Sequence, residues 1–360
     1  MVVPVHQVEP YLPECLDSIL ASAGSELELV AVDDASPDGS GALLDTYARR
    51  DPRVTVLHLA ANVGLGRARN AGLDRARGEY VWFVDGDDAL PPGSVSAVLD
   101  RLAETAPDVL VLDHAELHPD GRLTRTSAGP VLRAVPGPVR VTGRPELLGL
   151  PLATSACTKV IRREFLAGTG LRFPPGWYED CAYTYPLLLA AARVDALDRV
   201  CYHYRRRAGA ITASVSDRHF DVFEQYDRMW SRVAAVPAPV RGELFRLMID
   251  HLLVIAGNPY RLPPGRRREF FGRVVGQYRR RLPTGGYRLP GGPSGLRHRL
   301  VRRNAYPAYA GLRLAWRVAG ARRRRLPAGS PTPLPASVPA SVLVPAAAPA
   351  QPAPRTASAR

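Results

Sequence analysis

Lysine is almost absent from this chain: of 48 basic residues only Lys159 is lysine, and the other 47 are arginine. Beside 35 prolines and abundant alanine, that skew fits a GC-rich coding bias. No P-loop is present, because the one lysine is preceded by Thr158 and not by glycine. Cysteine is scarce as well. Cys15, Cys157, Cys181 and Cys201 are widely spaced and form no CxxC pair, too few for a disulfide scaffold and wrongly placed for structural zinc. No run of 18 apolar residues occurs, so no transmembrane helix is expected. Met1 leads directly into valines with no basic segment ahead, so no signal peptide is expected and the cytosol is the expected compartment. Gly64-Leu65-Gly66 lacks the third glycine of a dinucleotide fingerprint, and neither GxSxG nor HExxH appears.

What is present begins with size and charge. The 360 residues are 46% hydrophobic, enough to bury a core and to exclude wholesale disorder. The net charge of +14 invites a nucleic-acid reading, but it is unevenly placed. Residues 261–325 hold 19 Arg and one acid, Glu269, for a net of +18; residues 326–360 add two Arg; the first 260 residues are left at −6. The basic character belongs to a C-terminal segment. At about 1 kcal/mol per basic residue near an anionic leaflet, that segment predicts peripheral membrane contact through residues 261–325, at the inner face.

Strand and helix signals alternate over the first 113 residues. Short apolar runs predict strands at Val2–Val5, Glu28–Val32, Val54–Leu59, Tyr80–Val84 and Asp108–Leu112. Helical spacing predicts helices over Pro10–Ala23, Ser40–Arg50, Leu65–Arg77 and Ser94–Thr105. Such alternation implies right-handed βαβ units and a mainly parallel sheet. Asp120-Gly121 carries a hairpin-turn signal, and residues 128–150, rich in Pro and Gly, read as an irregular linker. Beyond lie a strand or loop at Lys159, a helix near Arg162–Leu166, an amphipathic helix over Glu179–Ala192 and a strand over Val200–Arg205. Helices are expected at about 217–235 and 240–256, with further helical patches at Arg267–Tyr278 and Tyr309–Arg325. From Gly329 the Pro/Ala/Ser composition predicts disorder.

In a parallel α/β sheet ligands bind at the carboxyl ends of the strands, and two acidic clusters fall there. Asp33-Asp34 closes the second strand and Asp85-Gly86-Asp87-Asp88 the fourth. Two carboxylates separated by a glycine suit a hard divalent cation that also takes phosphate oxygens, whereas a single such cluster more often caps a helix or turns a loop.

These segments, taken in order, resemble family 2 glycosyltransferases. The likeness is carried by Val2-Val3-Pro4-Val5 with Glu9-Pro10-Tyr11-Leu12, by Val32-Asp33-Asp34-Ala35-Ser36-Pro37-Asp38-Gly39-Ser40 and by Asn62-Val63-Gly64 with Ala68-Arg69-Asn70-Ala71-Gly72. Asp85-Gly86-Asp87-Asp88 resembles the family's DxD element, Trp177-Tyr178-Glu179-Asp180 its ED motif, and Tyr202-His203-Tyr204-Arg205 with Ile211-Thr212-Ala213-Ser214 its closing segment. Ala35 stands where glycine is common. The resemblance spans roughly residues 1–215 and implies a GT-A α/β fold with a mainly parallel central sheet; outside it, composition predicts a helical Arg-rich extension over 216–328 and a disordered tail over 329–360.

It also implies roles. Pro4, Asp33, Arg69, Asp85 and Arg205 would contact a nucleotide sugar, with a UDP-linked donor the commonest in the family. Asp85 and Asp87, with His203, would hold Mn²⁺ or Mg²⁺. Asp180 would be the general base of an inverting transfer to a cell-surface glycan, teichoic-acid or lipid-linked hydroxyl, with Glu179 either structural or the fallback base. Trp177 and Tyr178 either stack on an acceptor sugar or pack, and Cys157 and Cys181 are small buried residues. Two other classes compete. A basic nucleic-acid or phosphate-surface binder does not explain the acidic strand ends, and its Arg segment lacks interleaved aromatics, so no specific nucleic acid is expected. A nucleotidyltransferase would want a phosphate-cradling loop near the N-terminus, and Val2–Pro10 has none.

Overall fold

Every residue of the first strand, β1 (Val2–Val5), is buried, which places it at the centre of the sheet. The computed structural model describes residues 1–325 apart from 22, 23, 25, 127, 151–153, 208, 211–213 and 234. β1 pairs in parallel with β2 (Leu29–Asp33), which pairs in parallel with β3 (Val54–His58). The connections are helices α1 (Leu12–Leu20) and α2 (Ser40–Arg50). Helix α3 (Leu65–Arg75) then carries the chain across to β4 (Tyr80–Trp82) on the other side of β1, where Phe83 bridges Val2 in parallel. After α4 (Ser94–Thr105) comes β5 (Val109–Leu117), with the short hairpin partner β6 (Leu123–Arg125). β7 (Lys159–Arg162) inserts antiparallel between β4 and β5, and β8 (Val194–Arg205) runs parallel to β5 on its far side. The order is therefore β3-β2-β1-β4-β7-β5-β8, with β7 as the one antiparallel strand of that series.

Alternation along the strands splits the core in two. Val3, Val5, Leu29 and Ala31 face α1, α2 and α4 through Leu12, Leu16, Leu44, Val95 and Val98. Val2, Val30, Val32 and Phe83 face α3 and the later helices. That second layer holds α7 (Glu179–Ala190), which follows the short helices α5 (Gly129–Arg133) and α6 (Arg163–Thr169). It continues without a break through α8 (Asp221–Arg232), α9 (Ala238–Gly257) and α10 (Arg267–Arg281), whose Phe223, Phe245, Phe270 and Phe271 belong to the same buried cluster. α11 (Gly292–Arg302) and α12 (Tyr306–Arg325) complete the described chain.

The α/β architecture with a mainly parallel sheet and C-terminal helices is as expected, with three local corrections. Residues 128–150 are not a linker. They form α5 and two short 3₁₀ turns, and Leu132, Val141, Leu147 and Leu148 are buried in the core. Two of its prolines, Pro130 and Pro145, stand at helix starts, where a missing N–H costs nothing, and Pro136 and Pro138 lie in the irregular stretch between. α7 is not amphipathic: Cys181 through Leu188 are all buried, because α8 covers the face that would meet solvent in a simpler α/β layer. α11 went unread because its opening Gly-Pro-Ser-Gly looks like a turn. The expected tail at 329–360 and Ile211–Ala213 lie outside the described residues.

Ala35 adopts φ 51°, the left-handed conformation that glycine tolerates best, which accounts for the residue type usual there. α3 sits hard against the sheet at Gly72, where a Cβ would stand 2.3 Å from Val2 Cγ1 and 3.0 Å from Val32 Cγ2. Gly72→Ala should therefore destabilise the fold by about 1–3 kcal/mol in urea denaturation despite alanine's better helix propensity. A stabilised variant would show that α3 is free to move off the sheet.

Candidate active site

The site is assembled from the carboxyl edge of the sheet inward. Asp34, just past β2, is buried and accepts hydrogen bonds from the N–H groups of Val63 and Gly64 at 2.7 and 2.8 Å. That clamp fixes the entry of α3. At the first turn of α3, a Cβ on Gly66 would lie 2.8 Å from the Pro174 carbonyl and 3.0 Å from Glu179 Cγ, so the helix presses on the segment leading into α7. One turn on, Arg69 is 1% exposed and reaches three carboxylates. Its Nη2 pairs with Asp85 Oδ1 at 2.8 Å, and its Nη1 with Glu179 Oε1 at 2.9 Å and Asp180 Oδ1 at 2.8 Å. Its guanidinium also lies 5.2 Å from the Phe173 ring centroid. Residues distant in sequence, from α3, the end of β4 and the start of α7, thus meet on one buried cation.

Glu179 and Asp180 open α7 immediately after Tyr178, which takes φ 64°. Acids in a first turn favour the helix dipole, yet burial dominates here. Burial and the neighbouring Asp180 charge push Glu179 up to about 8, with Arg69 partly offsetting them. Asp180 is itself raised, by burial and by Asp85, with Arg69 opposing. Its second oxygen accepts the Ala156 N–H at 3.3 Å.

Asp85-Gly86-Asp87 is wedged against β1: a Cβ on Gly86 would be 3.2 Å from the Pro4 carbonyl. Pro4 thus supports the acidic turn through its backbone. Asp87 Oδ2 pairs with Arg207 Nε at 2.6 Å, and the Asp87 carbonyl accepts Arg205 Nε at 2.8 Å. Burial and the Asp85 charge raise Asp87, while Arg207 opposes them. Arg205 also pairs with Glu14 at 2.6 Å, and the guanidinium groups of Arg205 and Arg207 each lie 5.3 Å from the Tyr11 ring centroid. Asp88 is buried and structural, receiving Tyr202 Oη at 2.5 Å and the Arg205 N–H at 2.7 Å.

Asp33 forms a cluster of its own at the end of β2. It accepts the Ser36 N–H at 2.9 Å and pairs with His58 Nδ1 at 3.0 Å, and these bonds outweigh burial to lower its pKa. His203 exchanges backbone hydrogen bonds with Ala89, and burial lowers its ring pKa. Among the described residues no three His, Cys, Asp or Glu side chains are grouped to hold a metal, so His203 is not brought into a set with Asp85 and Asp87. The two aspartates fit a hard cation on their own terms. They are oxygen donors two residues apart, burial and then the Asp85 charge raise Asp87, and Mg²⁺-type sites often use only one or two carboxylates beside substrate phosphates.

Tyr178 packs: its hydroxyl meets His219 Nδ1 at 2.5 Å, and its ring crosses His251 edge-on at 5.4 Å. Trp177 is half-buried, edge-on to His219 at 5.1 Å, with the Arg218 guanidinium 4.9 Å from its ring centroid. All four cysteines are buried and free, and burial raises their thiols.

Two residues escaped the sequence reading. Arg207 had a signal, since in extended chain it shares a side with Arg205, two residues earlier. Lys159 had only its rarity. It is buried, donates to the Ser155 carbonyl at 2.7 Å and to Thr158 Oγ1 at 3.0 Å, and so braces the turn whose Ala156 N–H holds Asp180.

Two predictions follow from this geometry. Arg69→Met should cost about 3–5 kcal/mol in urea denaturation, because the buried Glu179 and the half-buried Asp85 and Asp180 lose their cation. A loss under about 1 kcal/mol would mean that they do not depend on it. Burial lowers Lys159 from 10.5 to about 7. Between those values the unfolded chain holds a proton that the native chain lacks, so this group makes the fold more stable as pH rises. The stability of wild type relative to Lys159→Met should therefore grow from pH 7 to 9, and a flat difference would contradict the shift.

Residues 1–166 match the model for glycosyl transferase family 2. The glycosyltransferase EpsJ of Bacillus subtilis strain 168 is 35% identical over 59% of this chain and 62% of its own length. The succinoglycan biosynthesis protein ExoO of Rhizobium meliloti strain 1021 is 28% identical over 64% of this chain and 67% of its own. Residues 1–349 of Staphylococcus aureus TarS, solved with UDP, share the fold at a TM-score of 0.50 and 21% identity, covering 78% of this chain and 87% of that one. The order of strands and the family match agree: residues 1–166 are similar to glycosyl transferase family 2, on a fold shared with TarS.

Proposed function

We propose that residues 1–215 transfer a sugar, with inversion, from a nucleotide-diphosphate sugar to a hydroxyl of a cell-surface glycan, teichoic-acid or lipid-linked acceptor. The observation that carries this reading is Arg69, which ties the acidic turn after β4 to the acid at the start of α7. The name of ExoO supports a polysaccharide acceptor, and the UDP in the TarS crystal is the reason to begin with UDP-linked donors.

In this account Asp85 and Asp87 would hold Mn²⁺ or Mg²⁺. When bound, the cation neutralises charge developing on the departing nucleoside diphosphate. Asp33 meets the base or ribose, and Arg205 with Arg207 meets the diphosphate, since a guanidinium fork matches phosphate oxygens. Asp180 takes the proton of the acceptor hydroxyl as that oxygen bonds to the anomeric carbon and the bond to the diphosphate breaks on the opposite face. One displacement inverts the centre. A raised Asp180 is a stronger base, closer to operating pH, and Glu179 stays structural.

Asp180→Asn should lower transfer by about 10²-fold or more while calorimetry still records donor binding. Turnover near the wild-type rate would remove Asp180 from the role. The acid limb of the wild-type kcat/KM profile should sit above the ordinary Asp value of 3.8, because protonation of the raised carboxylate removes the base. Asp87→Ala should abolish metal-stimulated turnover of the nucleotide sugar, and retained stimulation would overturn the metal assignment.

A further inference from the structure

The excess arginine divides into two populations. Arg267 is buried and donates to the carbonyls of Ala256, Asn258, Pro259 and Leu262, so it is an internal brace. Arg266 pairs with Asp217 and Glu269, and Arg280 and Arg281 pair with Asp227. From Arg288 onward the situation changes. Arg288, Arg299, Arg302 and Arg303 are exposed, no acidic residue occurs after Glu269, and among the described residues none of the four forms an ion pair with an earlier acid as Arg266, Arg280 and Arg281 do.

The same stretch concentrates exposed apolar side chains. Of nine large hydrophobic residues exposed among the described residues, five lie between 282 and 316: Leu282, Leu289, Leu296, Leu314 and Trp316. α12 is held at its start, where Tyr306 and Tyr309 pack on Phe271 at 5.5 and 4.9 Å between ring centroids. It then leaves the body of the protein, with Leu314 59% and Trp316 58% exposed. Leu314 and Trp316 thus stand exposed on a helix whose sequence holds six arginines and no acid.

Charge decides what covers it. Residues 326–360 contain two arginines and no acid, so the chain's own tail cannot neutralise the surface. A second copy would present the same positive face. Nucleic acid would answer the arginines but not the exposed leucines. An anionic bilayer answers both, because leucine and tryptophan enter the headgroup layer while arginine remains at the lipid phosphates. No described helix is long and apolar enough to cross a membrane, so the contact lies in the plane of the surface. We propose that the 282–291 loop, α11 and α12 form a docking surface for anionic phospholipid membrane. The basic segment expected to do this, 261–325, narrows accordingly, because α10 belongs to the core through Phe270, Phe271, Val274 and Tyr278.

The experiment is co-sedimentation of the full chain with vesicles of phosphatidylcholine alone or with 30% phosphatidylglycerol, at about 0.1 and 0.5 M salt. Binding is expected only to the anionic vesicles and is expected to weaken at high salt. The L314S/W316S and R302E/R303E variants should each bind at least tenfold more weakly while melting like wild type. No binding to anionic vesicles at low salt overturns the proposal. So does wild-type binding by both variants, or duplex DNA displacing the vesicles from the protein at equal phosphate concentration.

Discussion

Burying a guanidinium strips it of water, and the cost is met only where carboxylates close around it with good geometry. Arg69 satisfies that condition with Asp85, Glu179 and Asp180 at 2.8–2.9 Å. Much of the chain is arranged to place it. β1 and β2 are buried so that the edge carrying Asp34 is fixed; Asp34 clamps the entry of α3; Gly66 and Gly72 let α3 approach α7 and the sheet closely. The charge balance of the site follows. Three carboxylates around one cation leave excess negative charge, and burial with that mutual repulsion raises both Glu179 and Asp180 while Arg69 opposes the rise.

Charge is handled differently at the two ends of the chain. In the first 260 residues the net is −6, and arginines from other elements meet the acids of the turn after β4 and of the start of α7. Toward the end of the described chain Arg288, Arg299, Arg302 and Arg303 are exposed beside exposed leucines and Trp316, so the surface there is both cationic and apolar. The α8–α10 helices join these regions by continuing the core that begins under the sheet, so the basic extension is built on the same hydrophobic foundation as the region similar to family 2.

The sequence made the sheet and its acidic edge readable because both rest on local signals. Short valine-rich runs set β1 to β5, and Asp33-Asp34, Asp85-Gly86-Asp87 and Glu179-Asp180 stand in a fixed order along the chain. What it could not show was long-range partnership. Arg69 read as a minor nucleotide contact, yet its partners lie 16, 110 and 111 residues away and only packing unites them. Lys159 and Arg207 act through contacts of the same kind. The 128–150 segment misled because proline marks helix starts as well as loops, and α7 misled because its outer face is covered by a helix of the extension.

The central claim is that this constellation transfers sugar from a nucleotide diphosphate, and it is tested most directly by the product. The full-length protein would be offered a panel of nucleotide sugars, with Mn²⁺ or with a chelator, and the released nucleotide identified by chromatography. The account predicts nucleoside diphosphate from at least one donor, dependent on the metal and on the intact acidic turn. Release of pyrophosphate, or no turnover of any nucleotide sugar with metal and a glycan or lipid-linked acceptor present, would contradict it.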